Sequence, residues 1–478
     1  MSKDYSTYFA PSIRDARKRN KENTHYLRYQ VDEELIGLGL DKTFMIKTYG
    51  CQGNLADSEK IAGIMNQLGF TEVEAENQAD VLIFNTCAIR DNAEKRVFGE
   101  LGRLKGLKKE DPDRLVVLCG CMPQEEVTVD LIKAKYDQVD IVFGTHNINK
   151  LPIYLAEAYA SKERIIEVMS FEGDIIEDIP LKRANKAKAW VDIMFGCDEF
   201  CTYCIVPYTR GRERSRMPED IIREVSRLAE EGYQEVTLLG QNVNAYGKDL
   251  KDRDYSFAQL LSDLQKTAMK RIRFTTSHPR DLDEATMQVM ASGKNIMPHL
   301  HLPVQSGSNA ILKKMNRKYT KESYLEKIQY LQHLIPSIAI TTDIIVGFPG
   351  ETEEDFQETL DLVKRAHFEG AYTFIFSPRT GTPAANMEDT TPMEVKKERL
   401  NRLNKLINEG FAAGNKRFEN QIVEVLVEGS SNKNKEMLTG YTPHNKLVNF
   451  EGSPDLINTI IPVAVEHAYT WHLKGKML

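Results

Sequence analysis

The chain is poor in the features that mark export, membrane insertion or a general affinity for nucleic acid. Its 478 residues contain no apolar run near the roughly 18 residues that a membrane span needs. The N-terminal stretch MSKDYSTYFAPSIRDARKRN is polar and has no apolar signal-peptide core. A cytoplasmic location with no membrane partner is therefore expected, and thiols stay reduced there. There is no excess of positive charge either: the formal net charge is −7, so any RNA contact must come from local basic patches. Repeats and low-complexity tracts are also missing. What remains is a composition 41% hydrophobic and 28% charged, as in ordinary globular proteins, and a length that suggests about three domains.

The hydrophobic pattern divides the chain. Residues 1–41 carry mixed charge and read as an extension with a short helix. From Lys42 to about residue 160, the strand-like runs Thr43–Thr48, Val81–Thr86, Leu115–Cys119 and Ile141–Phe143 alternate with helical stretches at Ser58–Leu68 and Asp91–Leu104. This predicts a parallel-sheet α/β domain. Residues 160–188 read as a charged, irregular connection. A second series, about 183–413, has candidate strands Trp190–Phe195, Glu235–Leu239, Ile272–Thr276, His299–Pro303, Ile338–Ile345 and Tyr372–Phe376. Helical patterns at Pro218–Glu231, Tyr319–Leu334 and Glu353–Ala366 separate them, and a basic helix, Met393–Ala413, closes the region. Six βα units without a seventh and eighth predict an open, partial TIM-like (βα)6 barrel. From 415 to 478, Val423–Val427, Leu447–Phe450 and Ile460–Ala464 alternate with turn residues and predict a small antiparallel β-barrel. The expected class is α/β multidomain.

Seven cysteines are few, but six fall into two groups of three. Cys197, Cys201 and Cys204 have the spacing that pins a four-iron cluster while leaving one iron open for a small molecule. A structural zinc would want a fourth Cys or His at a second paired spacing, which neither His146 nor His278 provides. Cys51, Cys87 and Cys121 each follow a predicted strand of the first domain. The carboxyl ends of parallel strands lie along one edge, so these thiols can converge there; the competing reading is three buried structural thiols. Cys119, two residues before Cys121, is expected to be a core thiol.

Further barrel strands end in polar groups that fit a cofactor laid across the carboxyl face: Gln241 and Asn242, Ser277, Gln305, Asp343 and Ile345, and Gly347 in a Gly-rich turn. Tyr203 could cover the cluster or simply pack. Arg210, Arg212, Arg214 and Arg216 alternate just after the cysteine loop, and suggest either a phosphate clamp or a solvated strand edge. The basic helix with Lys396, Lys397, Arg399, Arg402 and Lys405 is a weaker candidate of the same kind.

These pieces, in this order, resemble the methylthiotransferase family of radical S-adenosylmethionine (SAM) enzymes over about residues 42–478. The likeness is carried by Tyr49-Gly50-Cys51-Gln52 with Asn54, Asn85-Thr86-Cys87, Gly120-Cys121-Met122, Gly196-Cys197 through Cys204, and Gly347–Glu351. The tail resembles a TRAM domain, an RNA-binding β-barrel, in Leu438-Thr439-Gly440 and Asn445–Gly452. Val206–Gly211, Leu239–Asn244 and Leu447–Phe450 look like the branch that modifies isopentenylated adenosine in tRNA. Sister branches act on threonylcarbamoyl-adenosine or a ribosomal-protein aspartate. Gly53 departs from the branch, where Met is more usual.

The resemblance implies two 4Fe–4S clusters and SAM as cofactors, with Cys197, Cys201 and Cys204 holding the cluster that cleaves SAM. It further implies that Cys51, Cys87 and Cys121 hold an auxiliary cluster from which sulfur, methylated by a second SAM, reaches carbon 2 of the adenine at position 37. The implied partners are a tRNA anticodon stem-loop, touched by Arg210, Arg212, Arg214, Lys446 and Asn449, and a small redox protein as electron donor; a monomer is implied as well. The different alternative is a non-catalytic iron–sulfur RNA-binding protein.

Overall fold

The computed structural model describes residues 24–88, 91–169, 174–251, 253–431, 434–435 and 437–478. Much of the N-terminal extension therefore lies outside the described residues. Its remainder forms a strand, β1 (Tyr26–Arg28), and a short helical turn at Glu33–Leu35.

The first domain is a parallel sheet built from β2 (Thr43–Tyr49), β3 (Thr71–Glu72), β4 (Val81–Thr86), β5 (Leu115–Gly120), β6 (Ile141–Phe143) and β7 (Ile165–Glu167), in the order β3-β2-β4-β5-β6-β7. Every residue of β4 and β5 is buried, as a strand covered on both faces requires. Alternate side chains enter opposite cores. Ile83, Val117 and Cys119 pack with Ile61 and Ile64 of helix Gln52–Gln67 and Leu151 and Leu155 of helix Leu151–Ser161. Leu82, Phe84, Val116 and Leu118 pack on the other face with Val97 and Leu101 of helix Asp91–Glu110 and with Val129 of helix Glu126–Lys135. The expectation of an irregular connection over 160–188 is corrected. It supplies β7 as an edge of this sheet, and β8 (Ile175–Glu177), which pairs in parallel with β1.

The second domain is an arc of six parallel strands. β9 (Lys188–Asp192), β12 (Glu235–Leu239) and β13 (Arg271–Thr275) form one half, and β14 (His299–His301), β15 (Ala339–Val346) and β16 (Ala371–Ile375) the other. A parallel bridge between Ile272 and Ile296 joins the halves. One large core, including Val191, Leu238, Phe274, Leu300 and Ile344, packs the arc against helices such as Pro218–Glu230 and Lys321–Leu334. Two further short strands, β10 (Met194–Phe195) and β11 (Arg214–Ser215), pair antiparallel and close the base of the loop that carries Cys197, Cys201 and Cys204.

The tail is a closed five-stranded barrel of β17 (Ile422–Ser430), β18 (Met437–Tyr441), β19 (Leu447–Glu451), β20 (Ile460–Ala468) and β21 (Leu473–Met477). One pairing departs from the antiparallel expectation: β19 and β21 run parallel. This barrel plugs the amino end of the six-strand arc. Arg271 Nη1 donates to Tyr441 O at 2.9 Å, and Arg273 donates to Thr442 O at 2.7 Å and Pro443 O at 2.9 Å. Lys188 pairs with Glu428 at 2.9 Å. The carboxyl end of the arc is left for the cysteine loop and the first domain.

Candidate iron–sulfur and cofactor site

The first triad is assembled by adjacent strand ends. Helix Gln52–Gln67 begins earlier than its apolar pattern indicated, which makes Cys51 its N-cap. Asn54 fixes this turn: its Oδ1 accepts from Cys51 N at 3.2 Å, and its Nδ2 donates to Asn85 Oδ1 and Thr86 O at 3.2 and 3.1 Å. Asn85 Nδ2 returns a bond to Asn54 O at 2.8 Å, so the turns carrying Cys51 and Cys87 are locked together. Gly120 has φ +96°, and a Cβ there would lie 2.4 Å from Thr86 O. Only glycine lets the backbone turn so close, and Cys121 N then donates to Thr86 O at 2.8 Å.

Cys51 and Cys87 share a hydrogen bond, which draws the Cys51 thiol down to about 5 against its burial, and Arg210 adds to the effect. Burial pushes the Cys121 thiol up while Arg210 opposes it. Cys119 lies apart. It is fully buried in the core of the other sheet face, and burial holds it well above the usual thiol range.

The second triad sits on the loop after β10. Gly196, at φ +78°, comes so near Arg212 O that a Cβ would be 2.0 Å away. Asn316 Nδ2 donates to Glu199 O and Phe200 O at 3.2 and 2.9 Å, holding Phe200 at φ +47°. Arg317, also buried, donates from Nη1 to Cys201 Sγ at 3.3 Å. Burial raises Cys197 well above its ordinary value, with Glu213 and the two other thiols adding to it; burial and Cys201 push Cys204 up to about 12. Cys197 and Cys204, which resist ionisation, become ligands only when a cation takes their protons' place.

Cys121 of the first triad meets the segment around the second in a small apolar cluster. Cys121 and Ala88 of the first domain pack directly against Phe200, Ile205 and Tyr208 of the cysteine loop. Phe200 and Tyr208 meet edge to face at 6.2 Å.

The strand-end residues divide into two groups. Asn242 Oδ1 and Ser277 Oγ are buried with no hydrogen-bond partner, as is Nε2 of the adjacent His278. Buried polar atoms normally find partners, so these mark a place for a polar ligand. The others are engaged within the protein. Gln241 Oε1 accepts from Gly196 N at 2.5 Å. Gln305 N donates to Asp343 O at 2.8 Å, and Ile345 N donates to Gln305 O at 2.9 Å. Asp343 Oδ1 lies 3.5 Å from His301 Nε2. Gly347 N donates to Glu351 Oε1 at 2.9 Å, and Tyr203 rests edge-on against Phe348 at 6.5 Å.

Glu199, His278 and Asp281 were not singled out by sequence, yet they form a buried group with ligand atoms within 4.8 Å of one another. Asn242 Nδ2 donates to Asp281 Oδ2 at 2.7 Å, and Glu199 also pairs with Arg280. The one sequence signal was that His278 and Asp281 follow a strand end. Arg317 had none.

The alternating arginines are not a solvated edge. Arg210 pairs with Asp57 at 2.7 Å, Arg212 with Asp198 at 2.6 Å, and Arg216 with Glu177 and Glu224 at 2.6 and 2.8 Å. Arg214 is buried and donates to Arg210 O at 3.3 Å. Lys446 is also internal, paired with Glu369 at 2.8 Å, whereas Asn449 lies partly exposed on β19. On the basic helix, Lys396 and Arg399 point inward, Arg399 to Glu351 at 2.8 Å. These side chains hold elements together in the structure rather than presenting charge to solvent.

Comparison with known proteins places this geometry. Residues 43–144 match "Uncharacterized protein family UPF0004", residues 191–363 the Radical SAM superfamily and residues 416–478 the TRAM domain. The chain is 55% identical to tRNA-2-methylthio-N(6)-dimethylallyladenosine synthases from Bacillus pumilus (strain SAFR-032), over 100% of the chain and 95% of the relative, and from Bacillus subtilis (strain 168) with the same coverage. The protein of that name from Staphylococcus epidermidis is also 55% identical, over 100% of the chain and 94% of the relative. Among solved structures, the radical SAM methyltransferase TsrM from Kitasatospora setae aligns with a TM-score of 0.52 at 14% identity, covering 72% of this chain and 75% of that one. That likeness concerns the fold.

Proposed function

The chain belongs to the tRNA-2-methylthio-N(6)-dimethylallyladenosine synthases of the radical SAM superfamily, and from this premise we propose that it methylthiolates carbon 2 of N6-isopentenyladenosine at position 37 of tRNA. The observation that carries the reading is the packing of Cys121, of the first triad, against Phe200, Ile205 and Tyr208, which flank the second. Membership in the superfamily brings SAM and a 4Fe–4S cluster; a second cluster on the first triad is part of the proposal. When bound, these groups supply the carbon radical, the sulfur and the methyl group that an unactivated aromatic C–H requires, chemistry that side chains cannot provide.

The protein's own contribution is binding, orientation and exclusion of water. Cys197, Cys201 and Cys204 would hold the SAM-cleaving cluster, with the Arg317 guanidinium on the Cys201 sulfur as a hydrogen-bonding neighbour of the kind that orients and tunes such ligands. Asn242, Ser277 and His278 present unpartnered polar atoms where the polar part of SAM would lie. Cys51, Cys87 and Cys121 would hold the auxiliary cluster, their turns fixed by the Asn54–Asn85 exchange. Phe200, Ile205 and Tyr208 would shield the Cys121 side of the site from solvent, where a reactive carbon must meet only its intended partner. Position 37 lies in a folded anticodon loop, so its base has to be splayed out to enter.

The division proposed is a first domain from residue 42 that runs through β7, a radical SAM domain over about 183–413, and a TRAM domain over about 415–478 for the RNA. The proposed setting is the cytoplasm, as a monomer served by a small redox protein. No helix among the described residues is long and apolar enough to cross a membrane.

The test is anaerobic turnover of the reconstituted protein with SAM, a reductant and an isopentenylated anticodon stem-loop, with nucleosides analysed by mass spectrometry. Methylthio-isopentenyladenosine, formed with deoxyadenosine and S-adenosylhomocysteine, is the expected result. Deoxyadenosine without RNA product would move the substrate to threonylcarbamoyl-adenosine or a ribosomal aspartate.

A further inference from the structure

Arg210 leaves the radical SAM side of the molecule six residues after Cys204, yet its guanidinium ends among the thiols of the other domain. It is 7% exposed, and its Nη2 donates to Asp57 Oδ2 at 2.7 Å. Asp57, 4% exposed, lies on helix Gln52–Gln67, whose N-cap is Cys51. The guanidinium's positive charge acts on the Cys121 and Cys51 thiols and lowers both. A Cβ built on Gly53 would lie 3.5 Å from Arg210 Nη2 and 3.6 Å from Cys51 Sγ. Gly53 thus leaves one small space that the guanidinium and the Cys51 sulfur both border. Lys60, on the same helix, stands 4.0 Å from Asp57 and bonds Asp192 at 2.6 Å.

We propose that Arg210, held by Asp57, is the positioning and charge-compensating residue of the auxiliary site, reaching from the SAM-cleaving domain to the sulfurs of Cys51 and Cys121. The inference rests on the reading that Cys51, Cys87 and Cys121 hold an iron–sulfur cluster. Three thiolates and a cluster form a buried anionic group, and its reduction potential depends on net charge and on hydrogen bonds to sulfur. A buried cation beside it favours the reduced, more negative state; a buried carboxylate disfavours it. Arg210 supplies the first and Asp57 the second, so their replacement has opposite signs. A residue that merely tied the domains together would give no such pattern, because either replacement breaks the same tie.

The experiment uses the full chain with Cys197, Cys201 and Cys204 all changed to Ala, so that only the first triad loads on anaerobic reconstitution with iron and sulfide. Midpoint potentials are read by EPR-monitored redox titration, with iron content measured alongside. Arg210→Met is expected to shift the midpoint to more negative values, Asp57→Asn to more positive ones, and Arg210→Lys to restore part of the loss. If Arg210→Met fails to fold, Arg210→Lys and Asp57→Asn still shift in opposite directions. Equal iron content with no shift, or shifts of the same sign, overturns the inference. A triad that takes up no iron before either further change overturns the reading beneath it as well, and the iron assay tells the two failures apart.

Discussion

Replacing Arg273 by Met tests how the C-terminal barrel is held to the catalytic body. Arg273 is 8% exposed; it donates to Thr442 O and Pro443 O, and its Nε pairs with Glu235 at 3.0 Å. The change leaves two carbonyls of the barrel loop unpaired and Glu235, 5% exposed, without its nearest cation. Removing one partner of a buried ion pair costs about 3–5 kcal/mol. The lower end is expected here, because Arg271 also faces Glu235. Most of that cost is the stranded carboxylate, so Arg273→Met with Glu235→Gln should recover about half of it. A chain of several domains does not unfold in one step. The assay is therefore proteolytic release of the barrel across urea concentration, followed by turnover. The single variant should release the barrel at lower urea and lose RNA product more than deoxyadenosine formation. Equal release by the single and double variants would refute the reasoning.

Gly120→Ala drives a Cβ into Thr86 and forces a left-handed backbone on alanine, costing at least about 1–2 kcal/mol before the clash is counted. It should deplete iron from the first triad while leaving SAM cleavage intact, as iron analysis and deoxyadenosine assay would show. His444 offers a pH test. Burial, reinforced by Arg417, Lys446 and Arg273, depresses it from 6.5 to about 4. The unfolded state therefore binds the extra proton first, so stability is full above pH 6.5 and falls as pH drops toward 4. The loss amounts to roughly 3 kcal/mol, since each tenfold difference in proton affinity between the two states is worth about 1.4 kcal/mol. Thermal melts of His444→Gln should show a flatter acid limb than the parent chain.

Much of this was legible in the residues because the signals are local. Val81–Thr86 and Glu235–Leu239 form strands at those bounds, since Val81–Phe84 and Val236, Leu238 and Leu239 supply the apolar signal of strands buried on both faces. The strand-end positions of Cys51, Cys87 and Cys121 could be read for the same reason. What could not be read depends on distant partners. The alternation Arg210, Arg212, Arg214, Arg216 has the period of an exposed strand edge, but Asp57, Glu177 and Glu224, which bury it, come from other segments. Lys446 was hidden in the same way by Glu369. β7 holds only three residues in a charged setting, too short for a periodicity to show. The clustering of Cys121 with Phe200 belongs to the tertiary fold alone.

The most direct test of the central claim separates the two triads. Chains with Cys51, Cys87 and Cys121 all changed to Ala, and a control with Cys119→Ala, are reconstituted anaerobically and given SAM, reductant and isopentenylated stem-loop RNA. The account predicts that the triple variant still forms deoxyadenosine but no methylthio nucleoside, while the Cys119 variant makes product. Methylthio product from the triple variant would contradict it.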